Sequence, residues 1–357
     1  MGPTERRTGA RIAFTEDADF EELDDLGRRG SDRAHRTGRL FAGRRSRSVA
    51  WLVAVGVLLV GSRHLLGGPL PMVGQLLPFP SWTSAWHHLF ASWEPTGMGT
   101  SAPASPAFGL LGVLGTFLFG RMGLLQEVLV LGCVPVGVWG TSRLLGPFAS
   151  ARARFVGALA YLALPLAYDE LARGSWEGLV AYAVTPWIAT QLARSTGISP
   201  FDAQEPGTTA WRHTLLGRMA VVGAIEALAM SFAPAMVVVV ALLGLGLAGG
   251  SLVAGGVRAA WRALAVAIGG SLVACVLCVP WVIGTLSAGA GALPVFGLPG
   301  TAAVEPGWGG LLRLAVGPFG SSPLAWLLLA AAAAPLLVGR AAHLAWSVRL
   351  WTVLLVS

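Results

Sequence analysis

The sequence predicts an all-α protein, a polytopic bundle of transmembrane helices. Of its 357 residues, 54% are hydrophobic and only 12% are charged, whereas about a quarter of the residues of an average soluble protein are charged. The mean hydropathy is +0.67. The apolar residues form about nine or ten segments punctuated by arginines, as expected of a chain that crosses a membrane repeatedly.

Positive charge is concentrated near the N-terminus. The net charge is +7, and all 25 basic residues are arginine. Eleven arginines lie in residues 1–47, and the other fourteen mostly separate hydrophobic segments. The positive-inside rule produces this distribution, which argues against nucleic-acid binding. The absence of lysine, with an excess of Ala, Gly, Val and Leu, is typical of a high-GC genome such as an actinobacterium's.

Residues 1–47 form a polar arm, in which an acidic patch at 16–25 precedes an arginine-rich run at 28–48. The arm is too short and too charged to hold a core, so we predict a disordered or partly helical cytoplasmic tail. The first apolar run, roughly 49–66, is expected to be a signal anchor. A cleaved signal peptide does not fit, because the charged region before this run is too long.

The loop after the anchor, residues 67–106, is predicted to lie outside the cell. It is rich in Pro, Trp and Ser, contains no arginine, and has Glu94 as its only acidic residue. Because the arginines that follow near 143–154 should lie inside, the region between must cross the membrane an odd number of times. We expect a short, half-buried helix at 107–120 and a full span at 122–141.

The remaining segments are expected to alternate in direction. The expected spans are at 153–168, at 178–193, twice within 219–256 with a hinge near 231–234, at 263–284, at 322–339, and from about 344. Residues 194–218 should lie inside and residues 285–307 outside. Because the last segment is too short to cross about 30 Å of hydrocarbon, the membrane domain at 48–357 is expected to be truncated at its C-terminus.

A polar island interrupts the apolar sequence LALPLAYDELARGSWEGLVAYAVTP (162–186). Asp169, Glu170, Arg173 and Glu177 fall there, in a predicted turn at the outer membrane surface. Carboxylates, a guanidinium and tryptophans suit sugar transfer: a base deprotonates a sugar hydroxyl, arginine holds a lipid-linked phosphate, and indole faces stack on sugar rings. The alternative is that these residues cap two helices and pair at helical spacing.

The outer loop contains two adjacent histidines and several tryptophans. On a helix, His87 and His88 diverge by about 100°, so they do not easily share a metal ion. No metal ligand is therefore assigned, and a divalent cation stays an open, unassigned possibility. Trp82, Trp86 and Trp93 predict an amphipathic segment at the membrane interface, where tryptophan is favoured.

Two carboxylates and two cysteines lie within apolar runs. Glu127 and Glu226 are functional candidates, because an ionisable group there costs a few kcal/mol on insertion scales. Each also has a structural interpretation: Glu127 can snorkel from near a helix end, and Glu226 can pair with an arginine or be neutralised. Cys275 and Cys278 form a C-x-x-C without a second ligand pair, so we interpret them as small apolar helix residues. No nucleotide-binding motif is present.

Three runs of the chain suggest a known family. They are SRHLLGGPLPMVGQLLPFPSW (62–82), WEPTGMGTSAPASPAFGLLGVLGTFLFGRMGLL (93–125) and YDELARGSWEGLVAYAVTPWIATQLAR (168–194). They resemble the membrane region of large actinobacterial glycosyltransferases, in which a cytoplasmic family-2 glycosyltransferase domain is often joined to a many-span module. That module is similar to the GT-C superfamily, which includes the mycobacterial arabinofuranosyltransferases of the cell envelope. The resemblance covers most of residues 50–340.

The resemblance implies an enzyme of cell-envelope glycan assembly that takes sugar from a polyprenyl-phosphate donor on the outer face. Its catalytic carboxylate is expected in the first outer loop. The candidate catalytic residues are Glu94, Asp169 and Glu170, and the candidate substrate-binding residues are Arg173, Trp176, His87, His88 and Trp93. This loop departs from the family pattern, because it has no aspartate and no paired acidic motif.

The family-2 domain is absent from the sequence, so no nucleotide-sugar site is assigned. The implied partners are the lipid-linked sugar, a glycan acceptor, membrane lipid, and a separate glycosyltransferase domain or chain. Two other functions remain open. One is a transporter or flippase for a lipid-linked sugar, which would use Glu127 and Glu226. The other is a non-catalytic scaffold that recruits enzymes through the arm. Each fits a multi-pass cell-membrane protein with a cytoplasmic N-terminus.

Overall fold

The computed structural model describes residues 74–91, 104–148, 151–201, 211, 214–254, 256–287 and 342–356. These residues are mostly helical and include no strand. Four stretches are long and apolar enough to cross a membrane: Met122–Leu144, Ala153–Arg173, Met236–Val253 and Val257–Leu277. The chain is therefore an all-α protein with membrane-spanning helices, as predicted. The arm and the spans expected at 49–66 and 322–339 lie outside the described residues.

Eleven helices lie within the described ranges. In chain order they are α1 (Trp82–Phe90), α2 (Ala107–Phe117), α3 (Met122–Leu144), α4 (Ala151–Leu162), α5 (Pro165–Arg173), α6 (Trp176–Ser195), α7 (Leu215–Met230), α8 (Met236–Val253), α9 (Val257–Leu277), α10 (Val279–Ser287) and α11 (Ala342–Val356). The expected short helix followed by a full span is present as α2 and α3. The expected hinged pair is present as α7 and α8.

Local sequence sets the ends of these helices. Ser81, Ser175 and Thr214 cap α1, α6 and α7, each accepting a hydrogen bond from the backbone N–H three residues later. Proline explains two breaks that the sequence analysis did not place. Pro165 starts α5, so the run expected as one span at 153–168 is split. Pro280 lacks the N–H that would continue α9, so the run expected at 263–284 is divided between α9 and α10.

The contacts of two glycines on α3 show how α3 and α6 run relative to each other. Gly137 lies against Tyr182, and Gly140 lies against Trp187, so α3 and α6 run parallel at close range. The helix α4 lies between α3 and α6 in the sequence. Its Tyr161 stacks on Tyr182 of α6, with ring centroids 4.4 Å apart. This order matches the predicted alternation of a descending, a rising and a descending segment.

The second group of helices follows the same alternation. The helices α7 and α9 run parallel, whereas α8 runs antiparallel to α11. For α7 and α9, the contacts are Met219 with Gly269 and Ala227 with Cys278. For α8 and α11, they are Gly246 with Val353 and Gly250 with Arg349. The largest buried cluster joins these helices to α6 and includes Ile188, Val222, Val240, Val266 and Trp346.

The helix directions define two ends of the bundle. The acidic end is where α3, α6 and α8 begin and where α5, α7 and α9 finish. The arginine end is where α3, α6 and α8 finish and where α7, α9 and α11 begin. All carboxylates among the described residues lie toward the acidic end: Glu127, Asp169, Glu170, Glu177 and Glu226. Which end faces the cytoplasm stays a prediction from the positive-inside rule.

Two tyrosine hydroxyls donate to backbone carbonyls that face a proline in α4 and α6. Pro186 cannot donate to the carbonyl of Tyr182, and Pro165 cannot donate to that of Tyr161. The Tyr161 hydroxyl donates to the Tyr182 carbonyl at 2.7 Å, and the Tyr182 hydroxyl donates to the Tyr161 carbonyl at 2.9 Å. In hydrocarbon every backbone polar group needs a partner, so this exchange links α4 to α6. The Tyr161 carbonyl also accepts from the N–H of Leu164 at 3.2 Å.

Candidate functional site

The first loop docks on the turn between α5 and α6 through its backbone. The N–H of Gln75 donates to the carbonyl of Gly174 at 2.9 Å, and the Gln75 side-chain oxygen accepts from the N–H of Trp176 at 3.1 Å. Gly74 has a φ of 57°, and a Cβ there would collide with the carbonyl oxygen of Arg173. Glycine is therefore required at this point of the loop.

The same loop is also tied to the start of α3. The buried side chain of Gln126 donates to the carbonyl of Leu77 at 3.0 Å. Leu76 is buried against Val130 of α3 and Leu179 of α6. These contacts hold the segment at 74–80 against three elements of the acidic end.

Aromatic rings extend the contact to the hinge between α7 and α8. Trp176 stacks with Phe79 at a centroid distance of 5.6 Å and with Phe232 at 5.8 Å. The hydroxyl of Ser105, at the far end of the loop, donates to the carbonyl of Ser231 at 2.9 Å. Loop, turn and hinge, all predicted to lie outside the cell, thus meet at one end of the bundle.

A helical hairpin of α1 and α2 belongs to this end. Trp86 lies against Gly112, and Trp82 lies against Gly115, so the two helices are antiparallel and close. Phe117 at the end of α2 is strongly exposed. The expected amphipathic segment with tryptophans is thus a helix, although Trp93 lies outside the described residues.

The two candidate histidines occupy different environments on α1. His87 is exposed, whereas the half-buried His88 stacks with Phe108 of α2 at a centroid distance of 5.1 Å. Among the described residues, no group of three or more His, Cys, Asp or Glu side chains is placed to hold a metal ion.

The polar island was expected to be a turn at the outer membrane surface, but most of it is helical. Because Pro165 starts a new helix, Asp169 and Glu170 lie within α5, and only Gly174 and Ser175 form the turn. The exposed fraction is 0% for Asp169 and 8% for Glu170. Asp169 is therefore fully enclosed by protein, and its predicted catalytic role stays a prediction.

Glu170 connects α5 to the start of α6. Its Oε1 lies 3.3 Å from Nη1 of Arg173, the helical-spacing pair that the alternative interpretation expected. Its carboxylate also covers Gly178, in the first turn of α6, where negative charge interacts favourably with the helix dipole. The pKa of Glu177 is raised above its ordinary value, first by burial and second by the negative charge of Glu170.

Arg173 is the exposed charged group of the island, whereas Glu177 is half-buried. Its side chain is 44% exposed, and Glu170 contacts only one of its terminal nitrogens. The other N–H groups are positioned to bind an anion such as a phosphate. The ring of Trp176, by contrast, is engaged in packing. The remaining candidate, Glu94, lies outside the described residues.

Gln75 and Gln126 are site residues that the sequence analysis missed. Each is a single amide within an apolar run, VGQLLP and LLQEVL. A polar side chain within an apolar run needs a hydrogen-bond partner, so the two isolated amides could have been recognised as residues with a structural or functional role. Their partners lie 101 and 49 residues away in sequence, so the signal does not identify them.

A segment after α6 is docked at the arginine end. The indole N–H of Trp346 on α11 donates to the carbonyl of Ser199 at 2.8 Å, and Phe201 is buried against Phe148 and Trp346.

The guanidinium of Arg143 lies over Trp139 and Trp187, at 5.8 and 5.7 Å from the ring centroids. Arg218 near the start of α7 lies within electrostatic range of Arg194 near the end of α6 and of Arg262 near the start of α9. This concentration of positive charge is what the positive-inside rule associates with the cytoplasmic face.

No protein-family model, curated protein or solved structure matches this chain. The interpretation of the site therefore depends on the geometry described above and on the chemistry of its residues.

Proposed function

We propose that the chain is an integral membrane glycosyltransferase, or the membrane module of one, that transfers sugar from a polyprenyl-phosphate donor in cell-envelope glycan assembly. The observation that supports this proposal is the docking of the first loop on the α5–α6 turn, beside Arg173. Gln75 and Ser105, which flank Glu94 in the sequence, lie at the same end of the bundle as the island.

Each residue then has a role that fits its surroundings. Arg173 binds the donor phosphate, and Glu170 orients the guanidinium through the 3.3 Å contact. Asp169 and Trp176 support the site from within the packed interior. Glu94 is the proposed base that deprotonates the acceptor hydroxyl.

The test is sugar transfer from a radiolabelled polyprenyl-phosphate sugar in membranes that contain the full chain. Glu94→Gln should lower the rate at least about a hundredfold, the usual contribution of a general base. Glu127→Gln is the matched control, because Glu127 lies on α3 outside the proposed site. Transfer by Glu94→Gln at the unmodified rate would remove Glu94 from the mechanism.

The role of Arg173 is tested by comparing the changes in KM and kcat when the residue is substituted. Arg173→Gln should raise KM for the donor more than it lowers kcat, because the proposed contact is made with the ground-state phosphate. An unchanged KM would contradict the proposed role.

One observation favours the transporter alternative. Glu226 is 0% exposed, and its Oε2 has no hydrogen-bond partner among the described residues. An intramembrane carboxylate of this kind is a functional candidate. If Glu226→Gln abolishes translocation of a fluorescent polyprenyl-phosphate sugar across vesicles while sugar transfer is never detected, transport replaces transfer as the function. The scaffold alternative concerns the arm, which lies outside the described residues.

A further inference from the structure

Arg143 is an exposed arginine in the last turn of α3. Its guanidinium lies over the rings of Trp139 and Trp187, and its side chain makes no hydrogen bond or ion pair with the part of the chain that the structure describes. The carboxylates of that part lie toward the opposite end of the bundle. The N–H donors of Arg143 are therefore open to an anion from outside the chain.

The aromatic support of Arg143 is fixed by the packing of α3 on α6. Gly140 leaves room for the indole of Trp187, because a Cβ at this position would collide with that ring. The indole N–H of Trp187 donates to the carbonyl of Val136 at 3.1 Å, which holds the ring across α3. Trp139 meets this ring edge-on, with centroids 5.2 Å apart and an interplanar angle of 89°. Two fixed rings thus hold the guanidinium in place, so binding costs little side-chain freedom.

The surface around this guanidinium lies at the edge of the hydrocarbon. The 23-residue helix α3 rises about 34 Å, slightly more than the roughly 30 Å of hydrocarbon that it crosses. Arg143, near its end, therefore lies close to the level of the lipid phosphates. Trp139 and Val136, one and two turns deeper, are 55% and 41% exposed. The same face of α3 thus offers a charged group to a headgroup and apolar side chains to an acyl chain.

A second arginine adds positive charge at this level. The guanidinium of Arg154 on α4 lies beside Gly146, in the turn after α3. A headgroup that contains its own cation, such as phosphocholine, brings that cation close to arginines, whereas a headgroup with a net negative charge is only attracted. A carboxylate of a peptide fits less well, because its polar backbone would lie against the apolar face, where a phospholipid supplies hydrocarbon.

We propose that this face of α3 binds an anionic phospholipid, with its phosphate on Arg143 and an acyl chain along Trp139 and Val136. Charge complementarity selects this occupant, since the exposed guanidinium itself forms part of the binding surface. The proposal depends neither on sugar transfer nor on which side of the membrane this end of the bundle faces.

The test is photocrosslinking of the full chain in nanodiscs of dioleoylphosphatidylcholine. Phosphatidylglycerol and phosphatidylcholine with the same diazirine acyl chain are added separately, and peptide mass spectrometry reads the crosslinks at 136–143 of α3. The measured quantity is the ratio of the crosslinking yield of the phosphatidylglycerol probe to that of the phosphatidylcholine probe. In the unmodified chain this ratio should be about ten, as expected of one charge-assisted hydrogen bond.

Arg143→Gln keeps a hydrogen-bond donor at this position but removes the charge. The ratio should fall toward about one, and crosslinking by the phosphatidylcholine probe should persist, which shows that the apolar face still contacts lipid. Arg258→Gln is the matched control, because Arg258 is exposed near the start of α9, at the same end of the bundle, and stacks on no ring among the described residues. This variant should leave the ratio unchanged.

Each of three results would overturn the proposal. Equal yields of the two probes in the unmodified chain would mean that the face binds lipid without recognising charge. An equal fall of the ratio in Arg258→Gln would mean that the overall charge of this end attracts the lipid. A ratio that rises only after the acidic residues at 16–25 are changed to amides would mean that the arm, and not a lipid, occupies Arg143.

Discussion

The acidic end and the arginine end of this bundle are built in different ways. At the acidic end, Gln75 and Gln126 join segments far apart in sequence through hydrogen bonds to backbone groups. At the arginine end, the donors are aromatic and charged side chains: the Trp346 indole donates to the carbonyl of Ser199, and Arg143 lies over Trp139 and Trp187. The acidic end is thus joined by amide side chains and a backbone-to-backbone hydrogen bond, and the arginine end by indole and guanidinium groups.

The difference bears on where a precise site can form. Backbone hydrogen bonds and buried amides fix the position of a loop to within a narrow range, as a binding or catalytic constellation requires. Guanidinium groups that repel one another and lie near solvent are screened by salt and adapt to lipid phosphates. The acidic end is therefore the better place for chemistry, and the arginine end the better place for orientation in the membrane.

The largest expected effect concerns sidedness. In a background without native cysteines, His87→Cys and Ala254→Cys place one exposed thiol at the acidic end and one at the arginine end. A membrane-impermeant maleimide added to intact cells should label position 87 fully and position 254 only after permeabilisation, because arginines are retained inside. The reverse pattern would place the proposed site in the cytoplasm and remove the sugar-transfer proposal.

The second prediction compares two glycines with the same backbone conformation. Gly74 and Gly197 have φ values of 57° and 64°, so alanine at either site costs about 1 kcal/mol of left-handed strain. A Cβ at 74 also meets the backbone of Arg173, whereas a Cβ at 197 meets only the movable guanidinium of Arg262.

Gly74→Ala should therefore lower the free energy of unfolding by about 2 kcal/mol more than Gly197→Ala does. Unfolding titration in mixed micelles measures the difference, and hydrogen exchange at 174–176 reports whether the loop has undocked. Equal effects of the two variants, with unchanged exchange, would mean that the docked loop is not held as described.

The third prediction concerns the tyrosine exchange beneath the island. Tyr161→Phe removes the hydroxyl donor of the Tyr182 carbonyl, which should cost about 1–3 kcal/mol of unfolding free energy. Tyr182→Phe should cost less, because the Tyr161 carbonyl still accepts from the Leu164 N–H at 3.2 Å. Tyr168→Phe is the matched control, because Tyr168 is partly exposed and lies on α5. Loss of stability as large in Tyr168→Phe would assign the effect to ring packing or general perturbation.

Much of the helical order could be predicted from the sequence, for physical reasons. Membrane thickness sets the length of apolar runs, and arginines set their alternation, so the pairs α2–α3 and α7–α8 were expected. The breaks at Pro165 and Pro280 were also visible as prolines. The repeated Tyr-x-x-x-Pro of YLALP (161–165) and YAVTP (182–186) contained the signal for the tyrosine exchange.

The candidate site was less predictable. The predicted side of the membrane was enough to group the loop with the island. Which side chains are buried depends on how the helices pack, and the sequence does not show this. The charged side chain of Asp169 gives no sequence signal that it is fully enclosed, and Trp176 gives none that its ring packs on Phe79 and Phe232. The docking glutamines depend on partners brought close only by the packing of α3, α5 and α6.

The smallest expected effect concerns Glu177, which precedes the predicted span at 178–193. Its pKa is raised above 4.5 by burial and then by the charge of Glu170. A carboxyl with a raised folded-state pKa contributes most to stability below its unfolded pKa, and this contribution is lost as the pH rises through the folded value.

Glu177→Gln should therefore be more stable than the unmodified chain at pH 7, with the difference shrinking as the pH falls through the folded-state pKa and absent below the unfolded value of 4.5. Unfolding titrations across this range measure it. In a Glu170→Gln background the gain should be smaller but still present, because burial is the larger cause. Glu177 would then be a carboxylate that lowers the stability of the chain. Such a group is expected where function, and not folding, requires it. A gain that is independent of pH would instead assign the effect to packing in the first turn of α6.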